Sequence, residues 1–457
     1  MESYIAGGVE SVLLDELKFT PSPGASYILN KSQVRFFPSG SSIYSPTSGQ
    51  RVCKINITGP SNQWLNPQSL RLVFDVVNTA PAGATTTDAT TGVTTTARGL
   101  PLRMLTGGWG FWRRLDVRMG GVQVESIANM NRVQELMTQL SSFKTRNKEV
   151  LMSGGSMTDE LHGNPAYTQE QLMYDILQGT ARNVSIPLIS GLCAQNKFLW
   201  PNAAPIEFTW ELDDAAANLW VPAAGSHTDQ WQIQNVYLIA DAVEMDAGLL
   251  NKYVQHLAQG FSLSWEIKTL NSVLHSVGNS HANFSCNQSR AYTKLDTMFA
   301  TLVRHEVEGT AISGCKKPVN WFQGLYDDHL SGVIPDNSND NLEAYITLGS
   351  KRIPVFPENR VNMHYFRLLQ ACGKNASDVH HLSMSRDAYI SRSFCLGYDL
   401  EKLPPGTLAS FSGENTRSGD LLALYLKNIA GNVHSVQVVC QFMEIIRLSG
   451  SGVDVLD

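Results

Sequence analysis

The sequence predicts an all-β protein made of two eight-stranded jelly-roll sandwiches in tandem, with a few short helices in the connections between strands. Three observations support this fold class. Apolar and polar residues alternate along most patterned segments, two landmarks recur at one spacing, and the 457 residues are too many for one ordinary hydrophobic core. Two domains of roughly 200 residues each suit this length.

The strands are predicted from alternation with a period of two, because successive side chains of a strand point to opposite faces of its sheet. In the clearest case, residues 206–213, every second residue is large and apolar: Ile206, Phe208, Trp210 and Leu212. Further strands are predicted at residues 53–57, 70–76, 115–119, 236–244, 261–267, 421–426 and 436–442.

Two amphipathic helices are predicted, at residues 131–140 and 359–372. Their apolar stripes consist of Val133, Leu136, Met137 and Leu140 in the first, and Val361, Tyr365, Leu368, Leu369 and Cys372 in the second. Residues 1–19 carry a shorter apolar stripe, although Gly7 and Gly8 disfavour a helix there. The Thr-rich residues 79–96 show no period and are predicted to form an exposed, mobile loop.

An internal repeat supports the tandem architecture. Asn-Arg-Val opens both predicted helices, at Asn131 and Asn359, an offset of 359 − 131 = 228. An apolar-Gly pair precedes each, ending at Gly120 and Gly349, an offset of 349 − 120 = 229. A match of three residues arises easily by chance, but the second landmark and the shared order of elements favour duplication.

Domain boundaries follow from this repeat. We expect an N-terminal arm at residues 1–26, a first jelly roll at residues 27–250 and a second at residues 251–457. A helix within a long connection suits a jelly roll. The competing immunoglobulin-type sandwich typically has ~100 residues per unit and lacks such a helix.

The composition limits the kinds of partner. Charged residues make up 17% of the chain, hydrophobic residues 43%, and the net charge is −6. Neutralising phosphates over a broad face requires clustered Lys and Arg, so we expect no direct, sequence-specific nucleic-acid binding. Average soluble domains have ~25% charged residues. The lower fraction here indicates a surface that is partly buried against neighbours.

The cysteines and the chain start indicate an intracellular product. The seven cysteines contain no CxxC pair, so we interpret them as reduced, mostly buried thiols. Met1 is not followed by a signal peptide, and no apolar stretch approaches the ~20 residues that span a bilayer. We therefore expect a protein that is not secreted.

No catalytic, cofactor-binding or metal-binding residues are predicted, because the GxGxxG, HExxH and GxSxG motifs are missing. Residues 309–316 come nearest to a phosphate-binding loop, but Cys315 and Lys316 replace its Lys and its Ser or Thr. The eleven histidines include no His-x-His pair of the cupin type. His380-His381 and residues 327–329 are weak candidates for a polar site, and we interpret both as loop residues.

Several short motifs, spread over nearly the whole chain, occur in the same order as in a known protein family. In the first half they are Phe-Phe-Pro-Ser-Gly at residues 36–40, Tyr-Ser-Pro-Thr-Ser-Gly at 44–49, Trp-Leu-Asn-Pro at 64–67, Phe-Trp-Arg-Arg-Leu at 111–115 and Asn-Met-Asn-Arg-Val at 129–133. In the second half they are residues 348–355, 397–402, 413–419 and 445–455. With these motifs the chain resembles the major capsid proteins of polinton-like viruses and of their virophage and adintovirus relatives.

The resemblance implies a non-enzymatic shell protein without cofactors, whose two upright jelly rolls per subunit form homotrimeric capsomers of pseudo-hexagonal outline. Such capsomers tile the icosahedral shell of a double-stranded DNA virus, so the chain is expected in the virion after assembly inside the infected host cell. The expected partners are neighbouring capsomers, minor capsid, penton or cement proteins, and an internal membrane where one is present. Residues 1–19 are expected to dock on a protein partner inside the shell.

Two other classes remain open. A β-sandwich carbohydrate-binding protein needs an exposed aromatic platform, for which Trp109, Trp112 and Trp321 are the candidates. A jelly-roll enzyme is the third class. Glycan binding or a bound metal would favour these alternatives, whereas large regular particles would favour a shell protein.

Overall fold

The computed structural model describes residues 27–47, 49–83, 85–87, 94–96, 99–104, 106–154, 175–215, 218–219, 227–303, 322, 342–373, 382, 384, 389–390, 393–402, 413–417, 420–429 and 433–456. The strands of its N-terminal half are β1 (Ile28–Phe36), β2 (Ile43–Tyr44), β3 (Val52–Ile57), β4 (Gln63–Leu65), β5 (Arg71–Asn78), β6 (Thr85–Thr87), β7 (Thr94–Thr96), β8 (Leu102–Arg103), β9 (Trp112–Met119), β10 (Val122–Ala128), β11 (Asp175–Ile176), β12 (Ala181–Pro187), β13 (Ile206–Leu212) and β14 (Trp231–Met245).

The strands of the C-terminal half are β15 (Leu263–Ser276), β16 (Asn283–Asn287), β17 (Leu295–Val303), β18 (Glu343–Leu348), β19 (Lys351–Glu358), β20 (Cys395–Asp399), β21 (Leu422–Lys427), β22 (Ser435–Ser449) and β23 (Gly452–Leu456). The helices in the described part of the chain are α1 (Met130–Gln139), α2 (Phe143–Met152), α3 (Gly191–Ala194), α4 (Ala247–Ala258) and α5 (Val361–Ala371). Helix α4 connects β14 to β15 and spans the expected boundary between residues 250 and 251.

The strands form two sandwiches with the same order. In the first, one sheet runs β1-β14-β5-β12 and the facing sheet runs β10-β9-β13-β3. In the second, the sheets run β15-β22-β17-β20 and β19-β18-β21-β16. Counting eight main strands along each half, both sandwiches have the order 1-8-3-6 in one sheet and 5-4-7-2 in the other. This order is that of a jelly roll, so the predicted tandem fold is confirmed.

The two helices that share Asn-Arg-Val lie at the same place in this topology. Helix α1 follows the β9–β10 hairpin, and α5 follows the β18–β19 hairpin. Both hairpins turn at a glycine with positive φ, Gly120 at +58° and Gly349 at +57°. Because such a backbone conformation strains residues with a Cβ atom, the glycines of the repeat are required by the turn. Helix α5 begins two residues later than predicted, at Val361 rather than Asn359.

Alternation correctly predicted the strands that have one buried face. Strand β13 buries Ile206, Phe208, Trp210 and Leu212, while the residues between them are partly exposed. Strand β17 was not predicted, because all nine of its residues are buried and its sequence does not alternate. Strands β1, β10, β12, β16, β19 and β20 and helices α2, α3 and α4 were also missed.

The Thr-rich residues 79–96 were predicted to be an aperiodic loop, which is wrong for Thr85–Thr87 and Thr94–Thr96, since these pair as an antiparallel hairpin. Threonine is β-branched and fits a strand without apolar alternation. The expected arm at residues 1–26 lies outside the described residues.

The first core is centred on aromatic side chains that meet across the two sheets. Phe74 of β5 packs edge-on against Trp112 of β9, with ring centroids 5.6 Å apart. Trp112 lies 6.3 Å from Trp210 of β13, and Phe208 stacks on Trp210 at 5.5 Å. All four rings are completely buried. This cluster fixes the spacing of the sheets.

Replacing Trp210 with Ala tests this core. Removing a fully buried indole leaves a cavity between the sheets, and we expect the free energy of unfolding to fall by about 3–5 kcal/mol. Glu211→Ala, on the opposite face of the same strand, is the control and is expected to change stability by less than about 1 kcal/mol. Urea unfolding followed by tryptophan fluorescence measures both. Equal effects of the two substitutions would contradict the assigned faces of β13.

Candidate functional site

The most distinctive polar site lies where the two sandwiches meet, and we call this contact the junction. It is formed by β10 and α3 of the first sandwich against β15 of the second. A Cβ atom on Gly191 would lie 2.3 Å from the backbone oxygen of Lys268. Only glycine permits this approach of α3 to β15, so the local sequence is adapted to the contact between the sandwiches.

A buried carboxylate occupies the centre of the junction. Glu125 of β10 is 2% exposed. Its Oε1 accepts from the backbone N–H of Gly191 at 2.7 Å, and its Oε2 from that of Leu192 at 3.3 Å. The hydroxyl groups of Ser190 and of Thr269, the latter on β15, also donate to this carboxylate. Glu125 therefore connects two segments of the first sandwich with a strand of the second.

Burial raises the pKa of Glu125, and the hydrogen bonds from Ser190, Thr269, Gly191 and Leu192 act in the opposite direction. Desolvation is the larger effect, because a carboxylate loses its hydration shell at the junction. The site thus holds a proton more tightly than an exposed glutamate does.

Further contacts extend the junction along its length. Arg132 of α1 donates to Oε1 of Gln437 at 3.1 Å and lies 4.8 Å above the ring of Phe322. Near the opposite end, Nε1 of Trp265 donates to the carbonyl of Phe198 at 3.1 Å, and Nζ of Lys197 to that of Ser264 at 2.8 Å. Because hydrogen bonds depend on direction and apolar packing does not, these hydrogen bonds hold the two sandwiches in one orientation.

A cleft of about 400 Å³ lies beside Glu125 between the sandwiches. Its wall includes Gln134 and Thr138 of α1 and, from the second sandwich, Lys268 and Gln441. The amine of Lys268 is paired with Asp296 at 2.7 Å and with Glu401 at 3.5 Å. A hydrogen bond with Asp296 and burial raise the pKa of Glu401 to about 7. This group of charges connects β15, β17 and the segment after β20.

A second buried cluster lies in the first sandwich. Arg103 of β8 donates to both carboxylate oxygens of Asp175 on β11, at 2.6 and 3.0 Å. Nε2 of His227 lies 3.7 Å from the same carboxylate. The three side chains are at most 4% exposed. Burial alone would raise the pKa of Asp175, but His227 and Arg103 hold it below its ordinary value. The cluster connects three chain segments outside the main strands, namely β8, β11 and the residues before β14.

The candidate site residues from the sequence do not form a site in the described part of the chain. Trp109 and Trp112 are fully buried and so cannot be an exposed platform for a sugar. Trp321, residues 309–316, residues 327–329 and His380-His381 lie outside the described residues. Among the described residues, no three His, Cys, Asp or Glu side chains are grouped closely enough to hold a metal ion. No helix in the same ranges has the length and hydropathy needed to cross a bilayer.

Sequence reasoning missed both Glu125 and the Arg103–Asp175–His227 cluster. A weak signal existed for Glu125, since it directly follows the apolar segment at residues 122–124. No sequence signal connects Arg103 with Asp175, because 72 residues separate them.

Glu125→Gln tests the electrostatics of the junction. A carboxyl group whose pKa is higher in the folded state than its unfolded value of about 4.3 stabilises the folded protein at low pH. This contribution is lost as the pH rises through the folded-state pKa. Glutamine has no such titration. We expect the stability of the native protein relative to Glu125→Gln to decrease from pH 4 upwards, measured by urea unfolding at several pH values. A difference that stays constant with pH would contradict the assignment.

Asp175→Asn tests the second cluster. The substitution leaves the Arg103 guanidinium buried without its counter-charge, and we expect a loss of about 3–5 kcal/mol at pH 7. Because the folded-state pKa of Asp175 is lowered, its contribution is present above about pH 3.9 and is lost as the pH falls further. Asp116→Asn, whose partner Arg114 is half exposed, is the control, with an expected loss below about 1 kcal/mol. Similar losses in both variants would show that Asp175 has no special role.

We compared the sequence and the fold with those of known proteins. No protein-family model and no curated protein matches the sequence. The Faustovirus major capsid protein aligns over 96% of this chain and 93% of its own, with a TM-score of 0.59 at 9% identity. A chain of the PBCV-1 virus capsid aligns over 96% and 99%, with a TM-score of 0.59 at 11% identity.

A chain of the Sputnik virophage structure aligns over 97% of this chain and 92% of its own, with a TM-score of 0.59 at 10% identity. Because each alignment covers at least 96% of this chain, it includes both sandwiches. At these identities the likeness is one of fold. The chain therefore has the double jelly-roll fold that is found in the major capsid proteins of Faustovirus, PBCV-1 and the Sputnik virophage.

Proposed function

We propose that this chain is the major capsid protein of an icosahedral double-stranded DNA virus and is located in the virion. The observation that carries the proposal is the match of fold over nearly the full length of both proteins, with 96% of this chain and 93% of the Faustovirus capsid protein aligned. A match that includes both sandwiches supports a shared architecture of the whole subunit rather than of one sandwich alone.

The building block is a homotrimer of pseudo-hexagonal outline, because three subunits with two similar sandwiches each present six similar units. The exposed apolar side chains support lateral contacts. They include Leu29, Phe37, Val355 and Phe356, which are between 63% and 82% exposed. Exposed apolar groups of this size on sheet edges favour association with neighbours.

The chain divides into an arm at residues 1–26, a first jelly roll at residues 27–250 and a second at residues 251–457. Its partners are neighbouring capsomers and minor capsid, penton or cement proteins, and an internal membrane in viruses that have one. The arm docks on a protein partner inside the shell. The protein has no enzymatic activity and no cofactor, and its net charge of −6 disfavours direct nucleic-acid binding.

The assembly state tests this function. Multi-angle light scattering of the purified protein is expected to give a mass of three times the 50.3 kDa chain, or a larger regular assembly. Obligate interfaces typically bury about 2,000–5,000 Å², so the trimer is expected to persist on dilution. Negative-stain images of source virions are expected to show an icosahedral shell that contains this chain. A stable monomer or dimer, or virions without the chain in their shell, would refute the proposal.

A further inference from the structure

A stack of three side chains stands on the outward face of the second sandwich. Tyr345 of β18 and Tyr425 of β21 are opposite each other in the register, and their rings stack with centroids 5.0 Å apart and an interplanar angle of 8°. Since Tyr425 covers one face of the Tyr345 ring, the guanidinium of Arg352, 3.7 Å from the ring centroid, covers the other. Both faces of Tyr345 are therefore occupied.

The second face of Tyr425 is directed toward a small residue on an edge strand. Ser285 of β16 is opposite Tyr425 in the register, and β16 is the last strand of its sheet. Neighbouring strands are about 4.8 Å apart, which is close to the spacing of two stacked rings. In the described part of the chain, no ring or cation contacts this face of Tyr425. The position above Ser285 can therefore accept one further ring.

Polar side chains line this position along β16. Asn283, Ser285 and Asn287 alternate with buried residues and lie on the exposed face. Within the described ranges, none of these three side chains makes a hydrogen bond. A carboxamide and a hydroxyl group can each both donate and accept a hydrogen bond. The free ring face is thus flanked by groups suited to the hydroxyl groups of a ligand.

The charges beside the stack favour an anionic group. Lys427 lies two residues from Tyr425 on the same face of β21, opposite Asn283 in the register. Its Nζ atom is 3.0 Å from the carboxylate of Glu343, and the guanidinium of Arg352 is 3.7 Å from the same oxygen. Two cations share one carboxylate, so this group carries a net charge of 2 − 1 = +1.

The jelly-roll fold does not require this stack. In the first sandwich the equivalent strands are β3, β9 and β13, and none of their outward-facing residues is aromatic. Ion pairs occupy that face instead, since Glu207 lies 2.7 Å from Lys54 and 4.0 Å from Arg118. Because the two sandwiches share one topology, the stack is a feature of the second sandwich alone.

We propose that the position above Ser285, which we call the stacking site, binds a pyranose sugar that carries a carboxylate, such as a uronic acid of a surface glycan. A pyranose has a C–H face, which packs on the electron-rich face of the Tyr425 ring. Its hydroxyl groups bond to Asn283, Ser285 and Asn287, and its carboxylate pairs with Lys427. This inference goes beyond the proposed shell function, since a shell subunit needs no ligand.

Saturation-transfer NMR of the native protein with methyl glucuronide tests the site. We expect a dissociation constant on the order of 1 mM, because a single sugar has few atoms to contribute. The strongest transfer is expected at the protons of the C–H face. Methyl glucoside, which lacks the carboxylate, is expected to bind about threefold more weakly, as an exposed ion pair contributes little. This preference is expected to disappear at high salt.

Two substitutions remove the site in different ways. Tyr425→Ala deletes the ring, and Ser285→Trp fills the free position while leaving the stack in place. Each is expected to weaken the binding of methyl glucuronide about tenfold or more. Ser285 is exposed on an edge strand and tryptophan suits a strand, so we expect Ser285→Trp to fold with unchanged circular dichroism and thermal unfolding.

Two further variants define what the site recognises. Lys427→Gln is expected to remove the preference for methyl glucuronide over methyl glucoside and to retain the binding of both. Tyr237→Ala is the matched control, because Tyr237 is an outward-facing tyrosine of the first sandwich with Arg35 4.9 Å above its ring. This variant is expected to bind both glycosides as the native protein does.

Three results would overturn the inference: no saturation transfer to either glycoside, equal binding by the native protein and Ser285→Trp, or tighter binding of adenosine monophosphate than of methyl glucuronide. The last would show that the stack accepts a nucleobase instead of a sugar. None of these results bears on the mass of the assembled protein. Failure of the sugar site and failure of the shell function are therefore distinguishable.

Discussion

The constraint on which this structure depends is that a twisted β-sheet can bury its apolar face in a sandwich but cannot remove its own edges. Each sandwich here has two open sides, one along its first strand and one along its fifth. The chain covers one pair of these sides internally, where β10 meets β15. The carboxylate of Glu125 is buried in this contact, between the segment at residues 190–192 and Thr269 of β15. The polar groups of the junction are buried, and α3 approaches β15 closely at Gly191, because this contact covers a sheet edge.

Much of the fold was predictable from the sequence, because many strands bury one face. Strand β13 is the clearest case, and the paired glycines Gly120 and Gly349 allowed the two halves to be aligned. Strand β17 could not be predicted in this way, because complete burial removes the alternation. The hairpin β6–β7 was missed for the opposite reason, since a run of threonines has no apolar face to mark a strand.

The candidate site was less predictable than the fold. The absence of catalytic motifs is a property of the sequence, whereas the junction depends on which distant residues meet. Glu125, Gly191 and Thr269 belong to three segments, and only the tertiary structure brings them together. The same holds for Arg103 and Asp175. A buried ion pair such as Arg103 and Asp175 contributes little net stability, because the desolvation of both charges offsets much of their attraction.

The self-contained pairing of β6 with β7 has a consequence for variation of this protein. Among the described strands, each of these two pairs only with the other, so the ladder ends within the connection between β5 and β8. The closure entropy of a flexible loop grows slowly with length, by about 0.6 kcal/mol for each doubling. Insertions at this position therefore leave the hydrogen bonding of both sandwiches intact. The length of this connection can therefore change with little cost to the folding core, and the same position suits the display of foreign peptides.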